Sequence, residues 1–427
     1  MSNHDRQVRR ETLANGLRLV WQPMPHAQTV HITAVVRAGS HYETSKNNGV
    51  SHLLEHLHLT TSRKYPTRQA MNDAFANIPG YRNGETSWNK IQFSIGTVPE
   101  KFPEACEHMA DVLEIREFDE EIIRAEKALL AVEMRGAGDD HWAQAMRFLL
   151  GGKHWSLPRG GLERSFTKIS IDSIHEFERW AFCPARIVVV IAGSFAETDT
   201  NSARRSFGRL ANGCIAPSQP FPKLPHLPVI RRVPNISGRS GVLLMFAVGQ
   251  LATHLEYNCL NFLWYALLHE SSPLFDEIRY GHANLYHVYC SPYTVADHWL
   301  IPIYAFANRR EQHWFVDSVC RFLKSVCNGD IQQGWFEQAR DSLIHSYLDA
   351  MHDPEIIANS MAFAEAVFPE NVRSTFDEDV RTLRTLQPSD VVALARKTFR
   401  RDNLLVQRTR RLWQSDRHIR RAISILA

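Results

Sequence analysis

The chain lacks the features that mark secreted, membrane-spanning or nucleic-acid-binding proteins. Its 427 residues include seven cysteines, an odd number with no C-x-x-C pair, which predicts no disulfide framework and favours a reducing compartment. No apolar run approaches the roughly 20 residues of a membrane span. The formal net charge of +3 is too small to indicate a nucleic-acid partner. Residues 1–10 are polar and argue against a signal peptide, so we expect the cytoplasm of a bacterial-type cell.

Arginine is concentrated close to the C-terminus. The run from Arg396 to Arg421 includes three Arg-Arg pairs, and a basic patch of this kind could bind RNA, anionic lipid or an acidic peptide. No aromatic or glycine signature accompanies the run, so the sequence favours a solvated tail. A basic-tail binding module is the alternative, and it would lose its affinity on truncation after residue 395.

The length of the chain suits two domains of about 200 residues, each with its own core. A proline-rich stretch, residues 217–234, predicts an extended connector. We therefore expect domains at 1–215 and 236–427, joined by a connector at 216–235. Apolar runs at 187–193 and 241–249 predict buried strands, and 403–406 echoes the first of them. Both halves thus indicate a weak internal repeat of α+β domains.

The most informative segment is His52-Leu53-Leu54-Glu55-His56. Residues three and four apart are neighbours on a helix, so the two imidazoles can bind one metal ion with the carboxylate beside it. This H-x-x-E-H order reverses the commoner H-E-x-x-H helix and is typical of zinc peptidases. Taken alone, a histidine pair at this spacing also suits an ordinary polar helix face.

Catalytic zinc usually takes three protein ligands, so a further acidic ligand is expected downstream. Residues 120–135 form a strong helix pattern rich in alanine, leucine, glutamate and lysine. Within it Glu126 and Glu133 lie seven residues apart, which is two turns, and therefore share one helical stripe.

These residues resemble the pitrilysin and mitochondrial processing peptidase family, the inverzincins. In that family the third zinc ligand follows the second motif histidine by 77 positions, and a functional glutamate precedes it by seven. Glu133 and Glu126 occupy those positions. The resemblance implies that His52, His56 and Glu133 bind one Zn2+ per chain and that Glu55 is the general base. It also implies that Glu126 orients a ligand imidazole.

Two further segments extend the resemblance. The block 272–286 is similar to a family segment whose arginine and tyrosine hold or polarise the scissile peptide, which implies those roles for Arg279 and Tyr286. The stretch 83–86 resembles the opening of the edge strand that pairs with bound peptide, which implies substrate binding by Asn83, Gly84 and Thr86. Two positions depart from the family pattern. Thr61 stands where the family usually has glycine, and residues 269–272 replace a glycine-rich segment before the Arg279 and Tyr286 block. These departures bear on substrate preference more than on the zinc chemistry.

The resemblance implies an α+β fold of two homologous domains. Each would be a mixed, largely antiparallel sheet with helices packed on one side, forming half of a clamshell chamber. The implied activity is a zinc-dependent endopeptidase acting on peptides or unfolded segments, with small precursor peptides as one class. The implied assembly is a homodimer or a heterodimer with a homologous subunit. The rival is a catalytically silent scaffold or peptide-presenting subunit, although such subunits typically lose zinc ligands that this chain retains.

Overall fold

The computed structural model describes residues 8–135, 141–151, 157–211, 223–234, 240–281, 285, 287–295, 298–409 and 415–427. In chain order its strands are β1 Arg9–Thr12, β2 Arg18–Pro23, β3 Val30–Val36, β4 Gly80–Thr86, β5 Ile91–Thr97, β6 Ile187–Gly193, β7 Val229–Val233, β8 Gly241–Gly249, β9 Val288–Cys290, β10 Tyr293–Val295, β11 His298–Phe306 and β12 Leu404–Thr409. Its α-helices are α1 Val50–Thr60, α2 Arg68–Ala76, α3 Phe102–Leu113, α4 Glu120–Glu133, α5 His141–Leu149, α6 Glu163–Phe166, α7 Ile171–Ala181, α8 Thr200–Gly208, α9 His254–Leu267, α10 Pro273–Gly281, α11 Arg309–Asn328, α12 Gln333–Ala350, α13 Pro354–Val367, α14 Phe376–Thr385, α15 Pro388–Thr398 and α16 Arg417–Ser424.

Contacts divide the chain into two compact units that are not contiguous in sequence. Unit 1 takes the described residues of Met1–Ala137, Gly152–Pro220 and Asp349–Phe368, and unit 2 takes those of Gly138–Gly151, Phe221–Leu348 and Pro369–Ala427. Each unit contains one sheet, so the expected α+β class is confirmed. The expected domain limits at 215 and 236 stay a prediction, because 212–222 and 235–239 lie outside the described residues.

The sheet of unit 1 runs β1-β2-β6-β3-β5-β4, in which β2 and β6 are parallel and the other neighbours antiparallel. Side chains alternate across a strand, so every second residue of β3, from Val30 to Val36, enters the apolar core. Helices α1 and α3 contribute further residues to that core. The strand β4 lies at the edge of the sheet, against α1.

The sheet of unit 2 repeats this arrangement. Its order is β10-β11-β8-β12-β7, in which β7 and β12 are parallel, β8 pairs antiparallel with β12 and β11, and β9 also pairs with β11. Four strands of each sheet correspond in order and direction. In unit 2 they are β7, β12, β8 and β11, and in unit 1 they are β2, β6, β3 and β5. The predicted strands at 187–193 and 241–249 coincide with β6 and β8. The structure therefore confirms the internal repeat.

Each unit takes one helix from the other half of the chain. Helix α13 packs on β3 and β6 of unit 1, where Asn359 Oδ1 accepts a hydrogen bond from Thr33 Oγ1 at 2.7 Å. Because Thr33 alternates with the core residues of β3, α13 lies on the sheet face opposite α1 and α3. Helix α5 packs on β8 and β12 of unit 2, where Gln407 Nε2 donates to the carbonyl of His141 at 2.6 Å.

The arginine-rich stretch is part of the fold and not a separate tail, and its arginines at 396, 400, 401, 417, 420 and 421 are exposed, as a solvated stretch would have them. Residues 404–409 form β12, an interior strand between β7 and β8. Arg408 is fully buried there, and its Nε donates to Asp416 Oδ1 at 2.9 Å. Truncation after residue 395 would remove this strand, so the segment is not a detachable binding module. Within the described residues, no helix combines the length and the apolar character needed to cross a membrane.

Buried histidines make the stability of unit 1 depend on pH. Burial lowers the pKa of His41 to about 3. It is also the largest cause that lowers the pKa of His31 and His108 to about 4. Unfolded histidine has a pKa of about 6.5, so the unfolded chain binds more protons below that pH. We expect the contribution of these three histidines to the free energy of unfolding to fall as pH drops from about 6.5 to 4.

Urea titrations across this window check the prediction. The variant His41→Gln should reduce the pH slope by about one proton, or about 1.4 kcal/mol per pH unit. The exposed His26→Gln is the control and should leave the slope unchanged. An unchanged slope for His41→Gln would contradict the assignment.

Candidate metal centre

Helix α1 divides its side chains between an apolar and a polar face. Leu53, Leu54 and Leu57 enter the core of unit 1. His52 and Glu55 are 9% and 6% exposed and His56 is half-buried, so all three are held by surrounding protein. Their spacing places the three polar side chains along one side of the helix.

The hydrogen bonds of the two imidazoles fix which ring nitrogen carries a proton. His52 Nδ1 lies 3.2 Å from the carbonyl oxygen of Gly160, which can only accept, so Nδ1 is the donor. His56 Nδ1 lies 3.2 Å from Glu126 Oε2 and donates in the same way. In the neutral ring this arrangement leaves the Nε2 lone pair for a metal ion, as in metal-binding histidines generally.

Glu133, at the end of α4, faces both of these nitrogens. Its Oε1 lies 3.6 Å from His52 Nε2 and its Oε2 lies 3.7 Å from His56 Nε2. Tetrahedral zinc with ligand distances of 2.0–2.1 Å separates its ligands by about 3.4 Å. Each spacing lies within a few tenths of an ångström of that value, and the two involve different oxygen atoms of the Glu133 carboxylate.

Glu55 completes a cluster with the two histidines. The ligand-capable atoms of His52, Glu55 and His56 all lie within 4.8 Å of one another, and no other group of this kind occurs in the residues that the structure describes. Glu55 Oε2 accepts a hydrogen bond from Thr86 Oγ1 at 2.7 Å. Burial raises the pKa of Glu55, although the Thr86 hydrogen bond and the histidines oppose the shift. A carboxylate with a raised pKa is a better proton acceptor near neutral pH.

Glu126 lies behind His56 as an almost fully buried carboxylate. It accepts hydrogen bonds from His56, from Thr60 Oγ1 at 2.9 Å and from the Arg68 guanidinium. Burial acts to raise its pKa, but these hydrogen bonds and the Arg68 charge outweigh burial and lower it. Burial likewise acts to lower the pKa of His56, but Glu126 and the other nearby carboxylates raise it.

Three of the sequence-predicted substrate residues lie on the edge strand β4, beside α1. Thr86 contacts Glu55, and Asn83 is exposed. A Cβ added to Gly84 would approach Glu55 Oε1 to 2.8 Å and Leu59 Cδ1 to 2.7 Å, so only glycine lets the strand come this close to the carboxylate.

The second predicted block, residues 272–286, contains Arg279 and Tyr286. Arg279 belongs to α10 of unit 2, where it is exposed and its guanidinium lies 5.7 Å from the centre of the Phe275 ring. Tyr286 lies outside the described residues. Their predicted contact with the scissile peptide stays a prediction.

Sequence reasoning missed two side chains that hold Glu126. Thr60 follows His56 by four residues, and that helical spacing was a usable signal. Arg68 precedes Glu126 by 58 residues, and no local pattern indicates their contact.

The two related units and the His-Glu-His cluster of α1 define a two-domain α+β protein with a candidate metal centre. Sequence comparison matches residues 18–151 to the domain described as Insulinase (Peptidase family M16) and residues 168–343 to the Peptidase M16 inactive domain. The chain therefore belongs to the M16 peptidase family.

Two relatives, one aligned over most of the chain and one over part of it, have names that describe peptidases. The chain is 23% identical over 407 residues to "Uncharacterized zinc protease YmxG" of Bacillus subtilis, covering 93% of this chain and 97% of that protein. It is 30% identical over 122 residues to "Mitochondrial-processing peptidase subunit beta" of Dictyostelium discoideum, covering 29% of this chain and 26% of that one.

Solved structures share the fold. A protease from Helicobacter pylori is 17% identical, with a TM-score of 0.81 over 95% of this chain and 99% of that one. A chain of complex III2 from Candida albicans is 14% identical, with a TM-score of 0.79 over 97% of this chain and all of that one. At these identities the likeness supports the fold alone.

Proposed function

We propose that this protein is a zinc-dependent endopeptidase that hydrolyses peptides or unfolded segments. The observation that carries the proposal is the placement of the Glu133 carboxylate 3.6 Å and 3.7 Å from the two histidine Nε2 atoms. A buried carboxylate, Glu55, lies beside them. Membership of the M16 family and relatives named as zinc proteases support it.

His52, His56 and Glu133 would hold the zinc ion. When bound, zinc supplies a Lewis acid that polarises the scissile carbonyl and makes water acidic enough to attack near neutral pH. Gly160 and Glu126 fix the two imidazoles by accepting their Nδ1–H groups, which keeps both Nε2 atoms turned to one point.

Glu55 is the proposed general base. Its Oε1 is left to receive the proton of the attacking water, because its Oε2 is bonded to Thr86. The same carboxyl can then protonate the leaving amine, which requires a pKa closer to neutrality than that of an exposed glutamate. Burial raises the pKa of Glu55 in that direction.

The proposed substrate is an extended chain. The strand β4 is an edge strand, so its outer N–H and C=O groups can pair with a peptide as an added strand. Such pairing would lay a peptide along Asn83, Gly84 and Thr86, next to Glu55. Arg279 and Tyr286 are the proposed donors to the oxyanion that forms at the scissile carbonyl.

Two further parts of the proposal concern assembly and location. We propose a homodimer or a heterodimer with a homologous subunit, supported by relatives whose names describe a peptidase subunit and complex III2. We also propose a cytoplasmic location, supported by the free thiols of the six described cysteines. A chamber closed by the dimer would admit unfolded peptides and exclude folded proteins.

A catalytically silent scaffold is the second candidate. It draws support from the match of residues 168–343 to a domain described as inactive. In that half α9 follows β8 as α1 follows β3, but His254 Nε2 and Asn258 Nδ2 meet Asp379 Oδ1 at 2.8 Å and 2.9 Å in hydrogen bonds. The presence of all three proposed zinc ligands in unit 1, His52, His56 and Glu133, favours the enzyme.

The deciding experiment measures zinc by mass spectrometry and cleavage of a quenched unstructured peptide by the purified full chain. It is run alone and with any homologous subunit encoded beside it. We expect about one zinc per chain, loss of cleavage on chelation and recovery with added zinc. Zinc binding without cleavage in either setting would favour the scaffold, and no zinc binding would overturn the proposed enzyme.

The close approach at Gly84 gives a sharper test. We expect Gly84→Ala to lower kcat at least about tenfold, because its methyl group would displace Glu55 from the position shown. Zinc content should remain that of the wild type. Gly208→Ala is the control, since a Cβ there meets no atom within 4 Å. Equal activity of the two variants would contradict the assignment.

A further inference from the structure

Glu43 is a fully buried carboxylate that receives the N-terminus of α1. Its Oε2 accepts hydrogen bonds from the backbone N–H of Gly49 and from Asn48 Nδ2, each at 2.8 Å. Its Oε1 accepts the backbone N–H of Ser51 at 2.8 Å. The first N–H groups of a helix have no partner within the helix, so these bonds satisfy donors that burial would otherwise leave unpaired.

The local sequence makes this capping necessary. Gly49 is the N-cap of α1, in the left-handed conformation at φ 99°, and has no side chain to bond the first turn. The carboxylate of Glu43, six residues upstream, takes that role. A negative charge at a helix N-terminus is also favoured by the helix dipole. Burial raises the pKa of Glu43, and the hydrogen bonds from Gly49, Ser51 and Asn48 act against that shift.

The same carboxylate is linked to the imidazole of His52. Asn48 Nδ2, which donates to Glu43, also lies 3.1 Å from the carbonyl oxygen of Pro158 and donates to it. Two residues further on, the carbonyl of Gly160 accepts the Nδ1–H of His52. Glu43 and Asn48 therefore join the start of α1 to the loop that sets the orientation of one proposed ligand.

We propose that Glu43 is a positioning residue of the metal centre, which fixes the first turn of α1 directly and the His52 imidazole through Asn48 and the loop 158–160. This inference rests on the proposed zinc site. It assigns a role to a residue that touches neither the proposed ligands nor the general base.

Glu43→Gln tests the role with little change in shape. Its amide NH2 would replace either the oxygen that accepts from Gly49 and Asn48 or the oxygen that accepts from Ser51, so in either orientation a donor would face a donor. The matched control is Asp111→Asn, which neutralises another buried carboxylate of unit 1, on α3, whose partner is Arg209. Both variants should lower thermal stability, and the comparison corrects for that loss.

The decisive readouts are the dissociation constant for zinc and the visible spectrum of the cobalt-substituted protein. We expect Glu43→Gln to raise the zinc dissociation constant about 10- to 100-fold, the range for residues that support metal ligands. The cobalt spectrum should change, and kcat should fall with KM near the wild-type value. Asp111→Asn should stay within about threefold of the wild type in zinc affinity, with an unchanged spectrum.

Asn48→Ala provides a second, milder variant. It removes the link to Pro158 but leaves the hydrogen bonds of Glu43 to Gly49 and Ser51, so a smaller rise in the zinc dissociation constant is expected. Equal zinc affinities in Glu43→Gln and Asp111→Asn, beside normal zinc binding by the wild type, would overturn the positioning role alone. A wild type that binds no zinc would overturn both proposals.

Discussion

Glu55→Gln is expected to lower kcat/KM for peptide cleavage about 10²- to 10⁴-fold, the usual contribution of a positioned general base. The substituted amide keeps the shape of the side chain and can still accept from Thr86 Oγ1. It cannot accept the proton of the attacking water. Because the proposed ligands are His52, His56 and Glu133, zinc content should remain about one per chain.

Steady-state cleavage of a quenched peptide measures kcat/KM, and zinc analysis of the same preparation measures the zinc content. The matched control is Glu107→Gln, which neutralises an exposed glutamate paired with Lys64 and should retain wild-type activity. If Glu55→Gln cleaved as fast as the control, the general base would have to be another group. If it lost zinc, Glu55 would belong among the ligands.

Glu133→Gln is expected to weaken zinc binding at least about 100-fold, more than changes to supporting residues usually cause. The variant replaces the carboxylate whose two oxygens each face a histidine Nε2 atom. A neutral amide oxygen is a poorer zinc ligand than a carboxylate, and the site would be left with two imidazoles. Cleavage should fall in proportion to zinc occupancy and recover in part at high zinc concentration.

Competition with a metal-sensitive dye gives the dissociation constants. Glu121→Gln, in the first turn of the same helix, is the control for loss of one negative charge on α4 and should bind zinc as the wild type does. An unchanged dissociation constant for Glu133→Gln would remove Glu133 from the ligand set. It would leave a site made of His52, Glu55 and His56, the group with the closest mutual spacing.

The sequence predicted the features that depend on local periodicity. The strands at 187–193 and 241–249 are continuous apolar runs, and they are interior strands. The helix at 120–135 is rich in strong helix formers and spans Glu120–Glu133. The approach of Glu133 to the histidines was inferred from a family spacing, because two residues 77 positions apart carry no local signal about contact.

The features that sequence reasoning missed depend on tertiary contacts. The arginines near the C-terminus suggested solvent, and most of those described are exposed, but Arg408 is buried with Asp416 beside it. The hydrogen bond from the Thr86 hydroxyl to Glu55 also had no local signal, and the predicted contact of Thr86 with substrate stays a prediction. The capping role of Glu43 has no sequence signal, since a glutamate six residues before an N-cap matches no recognised capping pattern.

Helix α13 belongs to unit 1 and helix α5 to unit 2, although each comes from the other half of the chain. This placement has a consequence for dividing the protein into two fragments. A fragment ending near residue 211 would lack α13, and one face of its sheet would lose Asn359, the hydrogen-bond partner of Thr33 and Gln92. A fragment beginning near residue 223 would lack α5 and the His141 carbonyl that Gln407 bonds. Neither half carries all the parts of its own unit. The two fragments should therefore regain structure by complementation when mixed, and each alone should be prone to aggregate.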